Sequence, residues 1–256
     1  MSARRFPTPE AFLGDRPVRI AVAGAGGTGS MLLDGLARLD CAIRAQGHPG
    51  MAVTVYDDAR VRPANVGRQR FTHVDVGHPK ATLLVHRLNG FYGLDWTAEV
   101  RRLDPAPPRC DLLIGCVDLG WFRHALGKKN RRVQTDTLWL DTGNGSDRAQ
   151  AFLSHLGTPS HGLRLPNIFD LYGDALLTGD DSDLPSCSLA EALARQRWSI
   201  NPMIAQVALT MLDDLFHRGG LDTHGAFVRL DPLTVTSIPI DPASWAMLGY
   251  TDAPTA

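Results

Sequence analysis

The chain has 256 residues with a formal net charge of −1, 44% hydrophobic residues and 21% charged residues. This length suits one large α/β domain, and this composition is ordinary for a globular protein. The balanced charge gives no electrostatic reason to expect a nucleic-acid or membrane partner, and no apolar run reaches the length of a bilayer span. The first residues contain no apolar signal core, so we expect a cytoplasmic protein.

Cysteine and histidine usage argues against a disulfide framework and against zinc. The four cysteines make no paired set, which fits a reducing compartment. No C-x-x-C pair occurs, and the nine histidines show no ligand spacing. We therefore expect no zinc site.

A strand, a glycine turn and a helix follow one another near the start of the chain. Residues 19–23 form a short apolar run that predicts a buried strand, and residues 31–39 have a helical pattern. Backbone N–H groups in a turn between two such elements face an anion, together with the positive end of the helix dipole. This order predicts a phosphate site at Gly24, Gly26, Gly27 and Gly29.

A second apolar strand, residues 53–56, leads directly to Asp57. A carboxylate at this position can accept hydrogen bonds from a ribose hydroxyl. The gap between Gly29 and Asp57 is longer than usual, and we assign the excess to an insert at residues 40–50.

More polar residues follow Asp57 than a dinucleotide site needs. Asn65, Arg68 and Gln69 come just beyond the second strand, and Lys80 lies in the first turn of a helix predicted over residues 79–88. A glycine turn is enough for the two phosphates of a dinucleotide. An additional Arg, Asn and Lys suit a longer and more highly charged polyphosphate.

The next part of the chain continues the alternation of strands and helices. We predict strands at residues 96–103, 111–117 and 137–141, with a helix at 120–131. This alternation indicates a parallel, doubly wound sheet that binds ligands at the carboxyl ends of its strands. Asp118 follows the strand at 111–117, where it can contact magnesium between phosphates or cap the helix.

The last part of the chain contains a long loop and an antiparallel extension. A strand at 149–155 precedes a polar loop at 155–185, and a helical stretch then runs from a capping box at Ser188 to about residue 217, kinked or split by Pro202. Residues 226–230 and 234–238 predict a terminal hairpin. We therefore predict an α/β fold with a Rossmann-like, doubly wound, mostly parallel sheet and a C-terminal antiparallel extension.

These motifs, in this order, resemble the adenylating domain of ubiquitin-activating enzymes and their bacterial relatives ThiF, MoeB and HesA. The shared features are the G-x-G-G-x-G turn, the aspartate, N-x-x-R-Q, a lysine that opens a helix, and a strand ending in C-V-D. The resemblance is strong over residues 18–126 and looser over 136–216. The chain looks most like the ThiF-family member of the bacterial PRTRC gene systems.

The resemblance implies ATP-dependent adenylation of the C-terminal carboxylate of a small ubiquitin-like carrier protein, in a homodimer. It implies that Arg68 and Lys80 offset the triphosphate charge, that Asn65 and Gln69 lie beside them, and that Asp118 binds Mg²⁺. Residues 1–17 would be an N-terminal arm, and residues 18–256 a single adenylating domain. Within it, residues 18–145 would form the nucleotide-binding half and residues 146–256 the carrier-binding and crossover-loop half.

Cys187 is the candidate acceptor for a second step, because related enzymes transfer the activated carrier to a cysteine that follows a loop. Its position just before Ser188, at a predicted helix start, favours a thiolate. A packed cysteine at a helix start is the structural alternative.

The chain departs from the family pattern at three points. Leu119 stands where relatives have an asparagine, the zinc-binding cysteine pairs are missing, and no clear arginine motif occurs near the N-terminus, where Arg4, Arg5 and Arg16 are candidates. Three other functions stay open. They are an NAD(P)-dependent oxidoreductase, a non-catalytic scaffold that binds nucleotide or carrier, and a tRNA-modifying adenylating enzyme.

Overall fold

The computed structural model describes residues 4–178 and 196–250. The strands in these ranges are Phe6–Pro7 (β1), Val18–Ala23 (β2), Met51–Tyr56 (β3), Thr97–Glu99 (β4), Leu112–Gly115 (β5), Leu138–Asn144 (β6), Arg148–His155 (β7), Gly220–Leu221 (β8), Thr223–Leu230 (β9) and Leu233–Pro239 (β10). The α-helices are Gly27–Ala45 (α1), Lys80–Tyr92 (α2), Gly120–Asn130 (α3), Ile168–Tyr172 (α4), Ile200–His217 (α5) and Pro242–Met247 (α6).

Eight strands form one mixed sheet in the order β10-β9-β7-β6-β5-β2-β3-β4, and β1 pairs with β8 in a small separate sheet. The five strands from β6 to β4 in this order pair in parallel, whereas β7, β9 and β10 pair antiparallel. This architecture confirms the predicted Rossmann-like sheet with its antiparallel extension.

The strand order reverses direction between β2 and β5, which lie side by side in the sheet. Right-handed crossovers therefore place α1 and α2 on one face and α3 on the other. Helix α5 packs against α1 and against β6, β7 and β9, so it shares the face of α1. The core strands β2 and β5 are almost completely buried. Among the described residues, no helix is long and apolar enough to cross a bilayer.

Two predictions about local structure were wrong. The expected insert at residues 40–50 is mostly helix, because α1 continues to Ala45. Asp40 is fully buried there, pairs with Arg44 at 2.7 Å and accepts a hydrogen bond from the backbone N–H of Met51. The polar segment after residue 155 is also not all loop, because it contains α4, whose N-cap Asn167 accepts from two backbone N–H groups. Residues 179–195, which include Ser188 and Cys187, lie outside the described ranges.

Several element boundaries also differ from the predicted ones. Of the helical stretch predicted from Ser188 to about residue 217, the described part is α5, which begins at Ile200. Pro202 does not kink it, because it lies in the first turn, where its missing N–H leaves no intrahelical bond unmade. The strand predicted at residues 96–103 is limited to Thr97–Glu99 at the edge of the sheet. The terminal hairpin is confirmed, and α6 follows it.

Asp111 ties the amino ends of β2 and β5 together. Its carboxylate accepts bonds from both terminal nitrogens of Arg16, at 2.7 and 2.9 Å, and from the backbone N–H and guanidinium of Arg19. The carboxylate is buried, yet the two arginines hold its pKa well below the usual range of an aspartate. This cluster fixes the edge of the sheet opposite the glycine turn.

Two glycines allow the end of β2 to turn closely into α1. Gly24 has φ = 97°, and a Cβ there would lie 2.8 Å from the carbonyl oxygen of Cys116. A Cβ on Gly29 would lie only 2.1 Å from the carbonyl oxygen of Gly24. In contrast, a Cβ on Gly26 would meet no atom within 4 Å. The fold therefore requires glycine at 24 and 29, whereas position 26 faces open space.

We predict that Asp111→Asn lowers the free energy of unfolding by about 1–2 kcal/mol at pH 7, because two arginines lose their anionic partner. The folded pKa of Asp111 is below its unfolded value, so its stabilisation is present above about pH 4 and is lost as the pH falls through the folded pKa. Urea unfolding from pH 3 to pH 7 should show the gap between wild type and variant narrowing toward pH 3. Exposed Asp95→Asn is the control, and a gap that stays constant with pH would contradict this role.

We predict that Gly29→Ala lowers the free energy of unfolding by about 3 kcal/mol, because the methyl group would collide with a backbone oxygen. Gly26→Ala is the matched control and should cost less than about 1 kcal/mol. Equilibrium unfolding of both variants measures the difference. Equal costs would show that the close approach of β2 and α1 does not depend on residue 29.

Candidate functional site

Three predicted site elements lie on the carboxyl edge of the parallel strands. The glycine turn follows β2, Asp57 follows β3, and Asp118 follows β5. Because β2 and β5 are the strands between which the topology reverses, a crevice forms at this point of the edge. The local motifs and the sheet order thus indicate the same place for a ligand.

The glycine turn presents its backbone to this crevice. Gly26 is the N-cap of α1 and has no side-chain cap, so the first N–H groups of the helix have no partner from that residue. The space beside Gly26 is open, as a Cβ there meets nothing. On the other side, Gly27 packs directly against the side chain of Asn201 on α5. An anion can therefore approach the turn at Gly26 and be met by helix N–H groups.

Asp57 holds the turn in place. One carboxylate oxygen accepts a hydrogen bond from the backbone N–H of Ala25 at 2.7 Å, and the other accepts from Ala59 at 2.7 Å. Each carboxylate oxygen has a further lone pair, so these bonds leave capacity for ligand hydroxyls. Asp57 thus has a structural contact with the phosphate-type turn that the sequence did not predict.

The segment with Asn65, Arg68 and Gln69 is a tight turn after a short 3₁₀ helix. The backbone oxygen of Asn65 accepts from the N–H groups of Arg68 and Gln69, and its side-chain oxygen accepts from Arg62 N–H at 2.8 Å. The buried side-chain oxygen of Gln69 has no hydrogen-bond partner in the described part of the chain. Buried polar atoms are normally satisfied, so this amide is suited to a donor on a ligand.

Lys80 is a buried cation at the start of α2. Only 6% of its surface is exposed, and in residues 4–178 and 196–250 no carboxylate lies within ion-pair distance of its ammonium group. Burial lowers the pKa of Lys80; Asp57 opposes this shift, while Arg62 and Arg68 add to it. A buried lysine among arginines creates a strongly positive position that favours a bound anion.

Arg68 lies close enough to Asp118 for the two charges to affect each other. Burial lowers the pKa of the Arg68 guanidinium, and the nearby charge of Asp118 opposes that shift. The two residues come from distant parts of the chain, Asp118 after β5 and Arg68 beyond the short 3₁₀ helix that follows β3. The structure therefore brings Arg68, Lys80, Asp57 and Asp118 into one electrostatic cluster.

Asp118 is exposed and precedes the N-cap of α3, which is Leu119. Helix α3 begins at Gly120, so Asp118 lies one residue before the N-cap position. Among the described residues, no group of three His, Cys, Asp or Glu side chains can hold a metal ion. Mg²⁺ at phosphates is usually held by only one or two carboxylates, so the donor set fits Asp118 as a single protein ligand.

Two polar clusters beside the crevice were not predicted. Arg123 on α3 forms a buried ion pair with Asp141 at 3.0 Å and donates to the backbone oxygen of Thr142. Burial raises the pKa of Asp141, an effect that Arg123 partly offsets. A second cluster joins the side chains of Thr28, Asn144 and Asn201 and links the glycine turn to β6 and α5. These contacts span distant parts of the sequence, so no local pattern signals them.

Two of the three described cysteines, Cys110 and Cys116, are poor nucleophiles. Burial raises the pKa of Cys110 to about 11 and that of Cys116 to about 12, which keeps both as thiols at neutral pH. Cys41 is partly exposed on α1. Cys187 lies outside the described residues, so its predicted role has no structural counterpart here.

Several solved structures share this fold. E. coli MccB with succinimide matches with a TM-score of 0.59 at 14% identity, over 90% of this chain and 66% of that chain. E. coli MccB with ATP matches with a TM-score of 0.57 at 14% identity and the same coverage. PaaA matches with a TM-score of 0.56 at 11% identity, over 87% of this chain and 64% of that chain. The chain therefore spans just under two thirds of these proteins, and identities this low show a common fold.

The sequence comparisons give the family. No curated protein sequence matches the chain significantly. The ThiF family matches residues 16–237, which is most of the chain and includes every described site residue named above. This match confirms the resemblance drawn from the glycine turn, Asp57, the N-x-x-R-Q segment and Lys80. The chain belongs to the ThiF family.

Proposed function

We propose that the protein binds ATP at the crevice and adenylates the C-terminal carboxylate of a peptide or small carrier protein. The observation that carries this proposal is the buried Lys80 beside Arg68 and the open glycine turn, in a chain of the ThiF family. MccB, a microcin C7 biosynthetic enzyme of the same fold, has been solved with ATP and with MccA. A site for two phosphates alone leaves the additional cations Arg68 and Lys80 unexplained.

The reaction needs positioning and charge neutralisation more than proton transfer. An oxygen of the substrate carboxylate attacks the α-phosphorus, the bond from that phosphorus to the bridging oxygen breaks, and pyrophosphate leaves with the electron pair. No general base is required, because a carboxylate is ionised at neutral pH. N–H groups at Gly26, together with Arg68 and Lys80, hold the phosphates and offset the negative charge that spreads in the transition state.

Asp57 and Asp118 have separate roles in this proposal. Asp57 fixes the glycine turn through Ala25 and offers its remaining lone pairs to the ribose. Asp118 would hold a magnesium ion, which supplies positive charge to the phosphate oxygens. Asn65 shapes the turn that carries Arg68, so its contribution is to orient that side chain.

The substrate we propose is a small ubiquitin-like carrier encoded in the same gene system, with the chain as the ThiF-family member of a PRTRC-type system. A homodimer and a second step to Cys187 complete the proposal. In that step the thiolate sulfur attacks the acyl carbon of the adenylate, a thioester forms and AMP leaves. These finer assignments rest on the family resemblance of the sequence.

We predict that wild-type protein with magnesium catalyses exchange of labelled pyrophosphate into ATP only when the carrier is present. Arg68→Ala should lower the exchange rate roughly 100-fold, because a cation that stabilises the transition state is lost. The matched control is Arg109→Ala, an exposed arginine before β5 at the opposite edge of the sheet. Exchange that is absent from the wild type with every carrier, although ATP binds, would contradict adenylation. Cys187→Ala should leave this exchange unchanged.

We predict that Lys80→Met raises the stability of the ligand-free protein by about 1 kcal/mol while ATP binding is lost. Methionine fills a similar volume without a buried charge, whose burial disfavours the folded state below the unfolded pKa of lysine. Thermal unfolding with and without ATP tests both effects. Exposed Lys129→Met serves as the control, and a destabilised variant that keeps its ATP-induced shift would contradict the role of Lys80.

A further inference from the structure

An open groove lies beside the nucleotide crevice on the face of the sheet that carries α3. Its volume is about 720 Å³, and it extends from Arg123, Gly143 and Asn144 to Thr234 and Thr236 on β10. Among the described elements, α5 packs on β6, β7 and β9 from the other face. The groove therefore begins at the proposed reaction site and crosses the antiparallel extension to its edge.

Two arginines face each other on the floor of this groove. Arg148 on β7 and Arg229 on β9 are direct partners in the antiparallel register, and Thr234 on β10 is opposite Arg229. Directly opposed side chains have Cβ atoms about 5 Å apart, and like charges at this distance repel. Within the described ranges, neither guanidinium forms an ion pair, in contrast to Arg123, which is held by Asp141. An anion between the two arginines removes the repulsion and meets both guanidinium groups.

The remaining lining suits an extended peptide. Gln150, Phe227 and Thr236 are opposite one another on neighbouring strands, so an amide, an aromatic ring and a hydroxyl line the path beside the arginines. Phe227 packs edge-on against buried Phe152, which gives the groove an apolar wall as well as polar groups. Such a mixture fits side chains and main chain better than it fits a string of phosphates.

We propose that this groove holds the C-terminal segment of the adenylated substrate in an extended conformation, and that Arg148 and Arg229 select an acidic side chain in it. The proposal rests on the proposed function, since the groove is assigned to the same substrate. From β6 at the crevice to β9 is two strand spacings, about 10 Å. An extended chain covers this distance in about three residues, so the acidic residue lies about three positions before the reacting carboxylate.

Affinity selection from a degenerate pool of short peptides with free C-terminal carboxylates tests the groove without nucleotide. The full chain should enrich Asp and Glu about fivefold at positions about two to four residues before the C-terminus. The double variant Arg148→Gln/Arg229→Gln should lose this preference, and Arg148→Lys/Arg229→Lys should retain most of it. Arg132→Gln, an exposed arginine beyond the far end of α3, is the matched control and should select as wild type does. Because the double variant removes a like-charge contact, its melting temperature should not fall.

The other outcomes separate this inference from the adenylation proposal. Absence of acidic enrichment, or the same enrichment in the double variant, would overturn the groove assignment. So would a double variant that loses ATP binding but keeps peptide selection, because the arginines would then belong to the nucleotide. Acidic selection without any pyrophosphate exchange would support the groove and count against adenylation. A pyrophosphate-exchange rate that does not depend on the acidic residue of the substrate would support adenylation and count against the groove.

Discussion

The burial of Lys80 beside Arg62 and Arg68 is the constraint on which the site depends. Three cations converge on a position where Asp57 is the main nearby negative charge, so burial and like-charge repulsion both disfavour the folded state. The fold holds Lys80 in this position, because Lys80 begins α2 and its backbone N–H donates to the carbonyl oxygen of Ala59. In the proposed function a bound polyanion would supply the missing negative charge. Binding free energy and the cost of folding would then be linked at one residue.

The sheet topology determines which groups lie next to this charged cluster. The reversal between β2 and β5 places the glycine turn next to Asp118, and the Gly24 backbone can lie against Cys116 because it has no side chain. Strands β7, β9 and β10 then continue the sheet away from the crevice and form the surface of the groove. The crevice proposed for the nucleotide and a peptide-sized groove thus lie on one continuous sheet, whose strands fix their relative positions.

The sequence predicts those parts of the molecule that short-range patterns encode. The parallel half follows from apolar strands joined by glycine and proline signals, and the site edge follows from residues that come directly after those strands. The extension of α1 to Ala45 was missed because the turn chemistry of residues 46–50 resembled that of an inserted loop. Asn144 meets Thr28 and Asn201 across separations of 116 and 57 residues, which no local signal records. The opposition of Arg148 and Arg229 depends on strand register, which only the structure shows.

The identity of the nucleotide is the claim on which the functional assignment rests. Calorimetric titration of the full chain with ATP and magnesium, and separately with NAD, tests it directly. The charge cluster of Lys80 and Arg68 predicts that ATP binds with an affinity that falls as salt is added, and that NAD binds far more weakly. Tight NAD binding without ATP binding would contradict this assignment and return the glycine turn to a dinucleotide role.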